Sequence, residues 1–395
     1  MGAPEGLEPL PEGSASSPAG FHSAGVACGL KPSGDLDLGI LRSLRRASSA
    51  VVDTVNALPA APIVHTRSLA RDRLQAILVT SGCANAATGE GGVEDARTLG
   101  ARAAAALGLG ADEVGVSSTG VIGERMDMPR ALAGIEAAAA AIGPDGGPSF
   151  ARAICTTDRW TKTWAARLPL SAGPALIGGT AKGAGMISPT MATMLAYVAT
   201  DAAVSPEALA RVTSATAERS FNRISVDGQM SPSDTLVVMA NGEGAPLAGA
   251  DLERFAAALT AVCRWLALQM VKDGEGAQHA VRLVVEGARD AGEAEAVARA
   301  IADSPLVKAA VYGRDPNWGR VSQAVGQALA GRGGPEARLS LSFDGLGPGD
   351  PGLAEVMTRE EYDLAVGLGR GRAGAEMWFC DLTHAYVTLN AEYHT

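Results

Sequence analysis

The chain has 395 residues, a formal net charge of −10, and a composition of 47% hydrophobic and 19% charged residues. That length suits two hydrophobic cores better than one, and the balance is that of a packed globular protein. Nucleic acid is excluded as a partner by the acidic balance, because phosphate binding needs clustered Lys and Arg, and the short group Arg42, Arg45 and Arg46 reads as a solvated face.

In chain order, residues 1–20 combine Pro4, Pro9, Pro11 and Pro18 with Glu5, Glu8 and Glu12, which predicts a disordered leader and no signal peptide. β-Branched runs then predict strands at 75–81, 113–118, 174–179, 193–200, 234–240, 280–286 and 337–343. Ala-rich stretches between them predict helices at 94–107, 129–141, 206–219, 252–271, 291–303 and 359–366. Ser205, Asp251 and Thr358 stand where N-caps belong. Mixed strands and helices of this kind imply an α/β or α+β layered sandwich, with sheets covered by helices. No stretch reaches the apolar length needed to cross a bilayer, so a cytoplasmic protein is expected.

Five widely spaced cysteines form no CxxC pair and suit a reducing compartment. The five histidines show no metal-ligand spacing, and neither a metal nor a cofactor is implied.

The stretch richest in chemistry is residues 182–201, KGAGMISPTMATMLAYVATD. Gly183 and Gly185 open backbone conformations closed to other residues, Pro189 breaks any helix, and Thr193 heads an apolar β-type run. A hydroxyl is thus set at a strand entrance behind a loop that can be strained. Attack of the Thr193 hydroxyl on the Ala192 carbonyl, followed by ester hydrolysis, leaves Thr193 with a free α-amine. An α-amine has a pKa of about 8 and can serve as general base to its own hydroxyl. A plain β-branched residue at the head of a strand is the other reading of Thr193. The glycines fit neither GxxxxGK[ST] nor GxGxxG, so a nucleotide loop is excluded.

This whole segment resembles the self-cleavage segment of the ornithine acetyltransferase family, the bifunctional glutamate N-acetyltransferases. Residues 118–123 (STGVIG), 273–277 (DGEGA), 304–308 (SPLVK), 313–320 (GRDPNWGR) and 390–395 (NAEYHT) resemble further family motifs in the same order. The resemblance implies residues 21–192 as a first chain and 193–395 as a second, released by cleavage between Ala192 and Thr193. It implies Thr193 as acyl-carrying nucleophile, Thr119 and Gly120 as an oxyanion hole, and Thr156, Lys182, Thr193, Glu275, Asn390 and Thr395 as substrate contacts. It further implies acetyl transfer from N-acetylornithine to glutamate, with acetyl-CoA as a second donor left open, and cleaved chains assembled as a heterotetramer. The chain differs from the family pattern at 227–235 (DGQMSPSDT), Cys83, Arg159 and 51–56 (VVDTVN). A self-cleaving amidohydrolase or aminopeptidase, a paralogue acting on another acylated amino acid, and an uncleaved non-catalytic paralogue stand as alternatives.

Overall fold

The computed structural model describes residues 7–188 and 194–392. Two strands set the architecture. In β9 (Leu195–Thr200), Leu195, Tyr197 and Ala199 enter one core while Ala196 and Val198 enter another. In β11 (Thr235–Ala240), Val237 and Met239 join the first of these cores, and Leu236, Val238 and Ala240 the second. A strand whose alternate residues are apolar on both faces must be covered on both faces. The sheet they belong to is therefore an inner layer.

That sheet has six strands in the order β1 (Glu8–Leu10), β7 (Lys162–Leu168), β8 (Ala175–Lys182), β9, β11 and β4 (Ser48–Asp53). All neighbours are antiparallel except β9 and β11. One face packs on α5 (Pro206–Arg219) and α6 (Gly249–Lys272). Phe255, Leu259, Val262 and Leu266 recur along α6 at helical spacing and all point into this core, each burial contributing roughly 1.5–3 kcal/mol. The other face packs, through Phe21, Leu41, Ile77, Val79 and Phe150, on a four-stranded sheet. Its order is β2 (Phe21–Val26), β3 (Leu38–Ser43), β5 (Ala76–Cys83), β6 (Val114–Val121). Ala76 and Leu78 of β5 face away, toward α2 (Gly89–Leu107) and α3 (Met128–Ala141). The result is a helix–sheet–sheet–helix sandwich, the layered α/β class read from the sequence. Two shorter helices, α1 (Ala61–Arg67) and α4 (Gly147–Ala153), close its flanks.

A five-stranded sheet follows in the order β10 (Ile224–Ser225), β15 (Ala373–Cys380), β12 (Ala280–Ala288), β14 (Glu361–Gly367), β13 (Ser340–Phe343). It has its own core against α7 (Ala291–Ala302), α8 (Pro305–Tyr312) and α9 (Trp318–Leu329). The short α10 (Leu353–Val356) and the last helix, α11 (His384–Glu392), complete the order.

Three expectations are corrected. Residues 7–20 are ordered: β1 pairs with β7, and Ser14, Ala15 and Ser16 are buried, the Ala15 amide donating to Thr180 Oγ1. Local composition missed this because the partners lie far along the chain. Residues 361–367 form strand β14 where a helix is expected, with Tyr362, Leu364 and Val366 buried at period 2 and paired to β12 and β13 on either side. Sheet pairing overrides helix propensity there. Thr358 accordingly caps no helix; its hydroxyl donates to the Glu355 carbonyl. Finally, α6 does reach the length and apolar content of a membrane span, but its apolar residues are spent on the sandwich core. Ser205 caps α5 as expected, accepting from the Ala208 amide, whereas α6 begins at Gly249 with Asp251 inside its first turn.

Candidate active site

Antiparallel pairing of β8 with β9 brings Lys182 opposite Leu195 and makes residues 183–194 the connection between neighbouring strands. The Lys182 side chain is buried and donates to Thr156 Oγ1 at 2.7 Å and to Thr119 Oγ1 at 3.2 Å. Burial pushes its ammonium pKa below the ordinary lysine value, with the nearby Asp158 carboxylate pulling the other way. Because Thr119 Oγ1 accepts from Lys182, its own hydroxyl hydrogen is free to point elsewhere. Gly120 follows at φ +130°, beside Gly82 of the parallel strand β5; a Cβ there would lie 2.3 Å from the Gly82 carbonyl carbon. Only glycine fits that position.

Two further segments are joined by a buried ion cluster. Asp158 accepts from Lys162 Nζ at 2.6 Å, the Gly183 amide at 2.8 Å and the Thr156 amide at 3.0 Å. Lys162 Nζ also reaches Asp273 at 2.5 Å, and Asp273 accepts from Arg159 Nε at 2.9 Å. Burial alone would raise the Asp158 pKa, but Lys162 and Lys182 outweigh it and hold the carboxyl well below the usual range. The cluster thus fixes Thr156, Gly183 and the turn that carries Glu275 relative to one another.

Glu275 faces the same space. Its carboxylate accepts from Thr157 Oγ1 and from Asn390 Nδ2 of α11, each at 2.8 Å. Asp227 accepts from the Met186 and Ile187 amides at 2.7 and 2.9 Å and so holds the loop after Lys182, while burial raises its pKa. Tyr386 of α11 also lines the cavity.

Thr119, Gly120, Thr156, Lys182, Glu275 and Asn390 therefore line a single cavity. Ala192, Thr193 and Thr395 lie outside the described residues. Sequence reasoning missed Asp158, Lys162, Asp273 and Tyr386 as parts of the site; Asp158 lies between Thr156 and Arg159 and Asp273 opens the 273–277 motif, whereas Lys162 and Tyr386 carry no local signal. Of the departures from the family pattern, Gln229, Ser231, Pro232 and Ser233 form part of the cavity wall. The departing 51–56 run packs directly behind them: Thr54 Oγ1 donates to the Ser231 carbonyl at 2.7 Å and Asn56 Nδ2 to that of Met230 at 3.2 Å. These two departures are one contact. Arg159 turns away to Asp273, and Cys83 is buried with its thiol on the Glu124 carbonyl, burial raising its pKa and disfavouring a thiolate.

The ArgJ family model matches residues 22–395. The chain belongs to the ArgJ family. An ArgJ relative from Symbiobacterium thermophilum, named arginine biosynthesis bifunctional protein, is 43% identical over 97% of this chain and 99% of its own length. The ArgJ protein of Bacillus subtilis is 40% identical, with 97% of each chain covered. A solved ornithine acetyltransferase from Mycobacterium tuberculosis, complexed with ornithine, is 37% identical and matches 48% of this chain and all of that one at a TM-score of 0.44. The resemblance read from the motifs is thereby membership of ArgJ, and the six described candidate site residues stand around one cavity of this ArgJ chain.

Proposed function

We propose that this ArgJ chain is an N-acyltransferase of arginine biosynthesis that moves an acetyl group from N-acetylornithine to glutamate through an acetyl-Thr193 intermediate. The observation that supports this most is the convergence of Lys182, Thr119, Gly120, Thr156, Glu275 and Asn390 on one cavity at the mouth of the β8–β9 connection. Self-cleavage between Ala192 and Thr193 frees the α-amine that acts as base to the Thr193 hydroxyl. The hydroxyl oxygen then attacks the acetyl carbonyl; the amine takes its proton and passes it to the departing nitrogen of ornithine. The Thr119 hydroxyl and the Gly120 amide receive the negative charge on the carbonyl oxygen, each such donor contributing roughly 3 kcal/mol to the transition state. Lys182, hydrogen-bonded to Thr119, reinforces that donor with a buried positive charge. Glu275 offers its carboxylate to a substrate ammonium group. In the second half-reaction the α-amine of glutamate attacks the Thr193 ester by the reverse path, giving N-acetylglutamate and restoring the hydroxyl.

We propose further that the cleaved chains remain together in a cytoplasmic heterotetramer. The six-stranded sheet supports their cohesion: β8 and β9, and β4 and β11, pair across the division at 192/193. Acetyl-CoA as an additional donor is part of the same proposal.

Intact masses of the purified protein and an assay of ornithine release test the reading together. Fragments of 1–192 and 193–395, with release that requires glutamate, are expected. Release independent of glutamate makes the protein an amidohydrolase, and a single full-length band makes it an uncleaved paralogue.

A further inference from the structure

Met194, the residue after Thr193, is held at both of its backbone polar groups by the start of β11. Its amide donates to Asp234 Oδ1 at 2.9 Å, and its carbonyl accepts from the Thr235 amide at 3.0 Å. Asp234 is itself fully buried, and its carbonyl receives the Thr54 amide at 3.0 Å, which ties it to the end of the edge strand β4. Its second oxygen, Oδ2, has no hydrogen-bond partner among the described residues.

An ionised carboxylate in that position is costly, since one oxygen is desolvated with no compensating partner among the described residues. Burial accordingly raises the Asp234 pKa far above the ordinary value, and Lys182 is the charged group that opposes the shift. A neutral carboxyl still accepts the Met194 amide through Oδ1. A sheet start needs no acid for this purpose, because a backbone carbonyl or an amide side chain accepts as well. The acceptor, ionised or neutral, is thus what this position offers to the backbone beside the 192/193 junction.

We propose that Asp234 is a positioning residue for self-cleavage, fixing through Oδ1 the backbone that directly follows Thr193. This rests on the self-cleavage reading above. In that step the Thr193 Oγ–C bond to the Ala192 carbonyl forms and the Ala192–Thr193 C–N bond breaks. The hydroxyl proton ends on the freed amine, and water then hydrolyses the ester. The attack is made by a residue on its own preceding carbonyl through a five-membered ring. Small rotations about the Thr193 backbone decide whether the hydroxyl reaches that carbon. Pinning the next amide anchors the Cα–C side of Thr193 to β11, so that only the rotations on its N–Cα side and about its side chain are left to bring the hydroxyl to that carbon, and Asp234 consumes nothing in doing so.

The test follows cleavage of freshly synthesised chains over time on denaturing gels with intact masses, for the wild type, D234N, D234A and D234L. Asn keeps the acceptor and mimics a neutral carboxyl; Ala and Leu remove the acceptor, Leu while filling the space. D234N is expected to split at close to the wild-type rate, and D234A and D234L at least tenfold more slowly. Each variant's thermal unfolding is recorded, and cleavage rates are compared among those that unfold in one cooperative transition. Slow splitting of D234L, which fills the space without an acceptor, beside normal splitting of D234N is the readout that a general packing role does not produce. Splitting of D234A or D234L at the wild-type rate, or D234N as slow as D234A, overturns the role of Asp234. A wild-type chain that stays whole instead overturns the self-cleavage reading itself.

Discussion

Gly185 faces the carboxyl group of Glu275 so closely that a Cβ on Gly185 would lie 2.4 Å from both Glu275 Cδ and Oε2. The backbone is already joined at this point, the Glu275 amide donating to the Ala184 carbonyl at 2.8 Å. The glycine therefore leaves room for a side chain that belongs to the cavity, not to the core. A methyl group at 185 displaces the tip of a flexible side chain, which the fold tolerates. Glu275, however, is carried off its bonds to Thr157 and Asn390.

Gly185→Ala is thus expected to leave the melting temperature nearly unchanged while damaging recognition of the substrate ammonium group. Hydrogen bonds to a charged group contribute about 1.5–3 kcal/mol, so kcat/KM should fall roughly 10- to 100-fold, mainly through KM. Steady-state kinetics with N-acetylornithine and with glutamate check this. An unchanged KM for both substrates sinks the assignment of Glu275 as an ammonium partner.

Lys182 gives a prediction in which activity and stability move apart. Its pKa is depressed by burial, so the folded state disfavours the charge that the proposed reaction uses. Lys182→Met fills much of the same space without a charge. It should hold or raise the melting temperature and lower kcat about 100-fold or more, the scale of losing a donor at a developing oxyanion. Parallel thermal unfolding and turnover measurements decide it. A variant with normal kcat removes Lys182 from the chemistry.

How far the sequence disclosed all this depends on the range of the interaction. The strands at β5, β6, β8, β9, β11 and β12 and the limits of α5 were legible because apolar patterning and the Ser205–Pro206 start are local signals. The pairing of β1 with β7 and the strand identity of 361–367 were not legible, since partners distant in the chain decide both. The same holds for the site. Thr119, Lys182 and Glu275 were found through motifs in which glycines shape the backbone. Lys162 sits in an ordinary-looking strand, and nothing near it reports that Asp158 and Asp273 will close on it. The departures at 51–56 and 227–235 were visible singly, but their contact through Thr54 and Ser231 required the fold.

The mixed parentage of the six-stranded sheet bears on the proposed cleavage at 192/193. Strands β8 and β4 precede the division at 192/193, and β9 and β11, their partners, follow it. Separation of the fragments requires tearing two strand ladders and opening the cores on both faces. The two fragments should therefore elute as one species in native size-exclusion chromatography and part only at denaturant concentrations that unfold the whole chain. Elution of a free 1–192 fragment in native buffer contradicts this.

The ion cluster predicts an inversion of pH dependence. In the wild type, Asp158 has a folded-state pKa held below its unfolded value of about 3.9. Its stabilising contribution is therefore present above that unfolded value and is lost as pH falls through the folded one. Between pH 7 and 5 it gives no slope. Lys162→Met removes the cation that holds Asp158 and Asp273, leaving buried carboxylates without that partner, and should cost about 3–5 kcal/mol at pH 7. With Lys182 and the Gly183 amide left as its opponents, burial is expected to prevail and lift the folded-state pKa of Asp158 above the unfolded one. In that order the folded state binds the extra proton, so the variant should gain stability as pH drops from 7 to 5. Urea unfolding midpoints of both proteins at pH 5, 6 and 7 measure it. Parallel curves for the two proteins, whatever their offset, show that Lys162 is not what keeps Asp158 ionised.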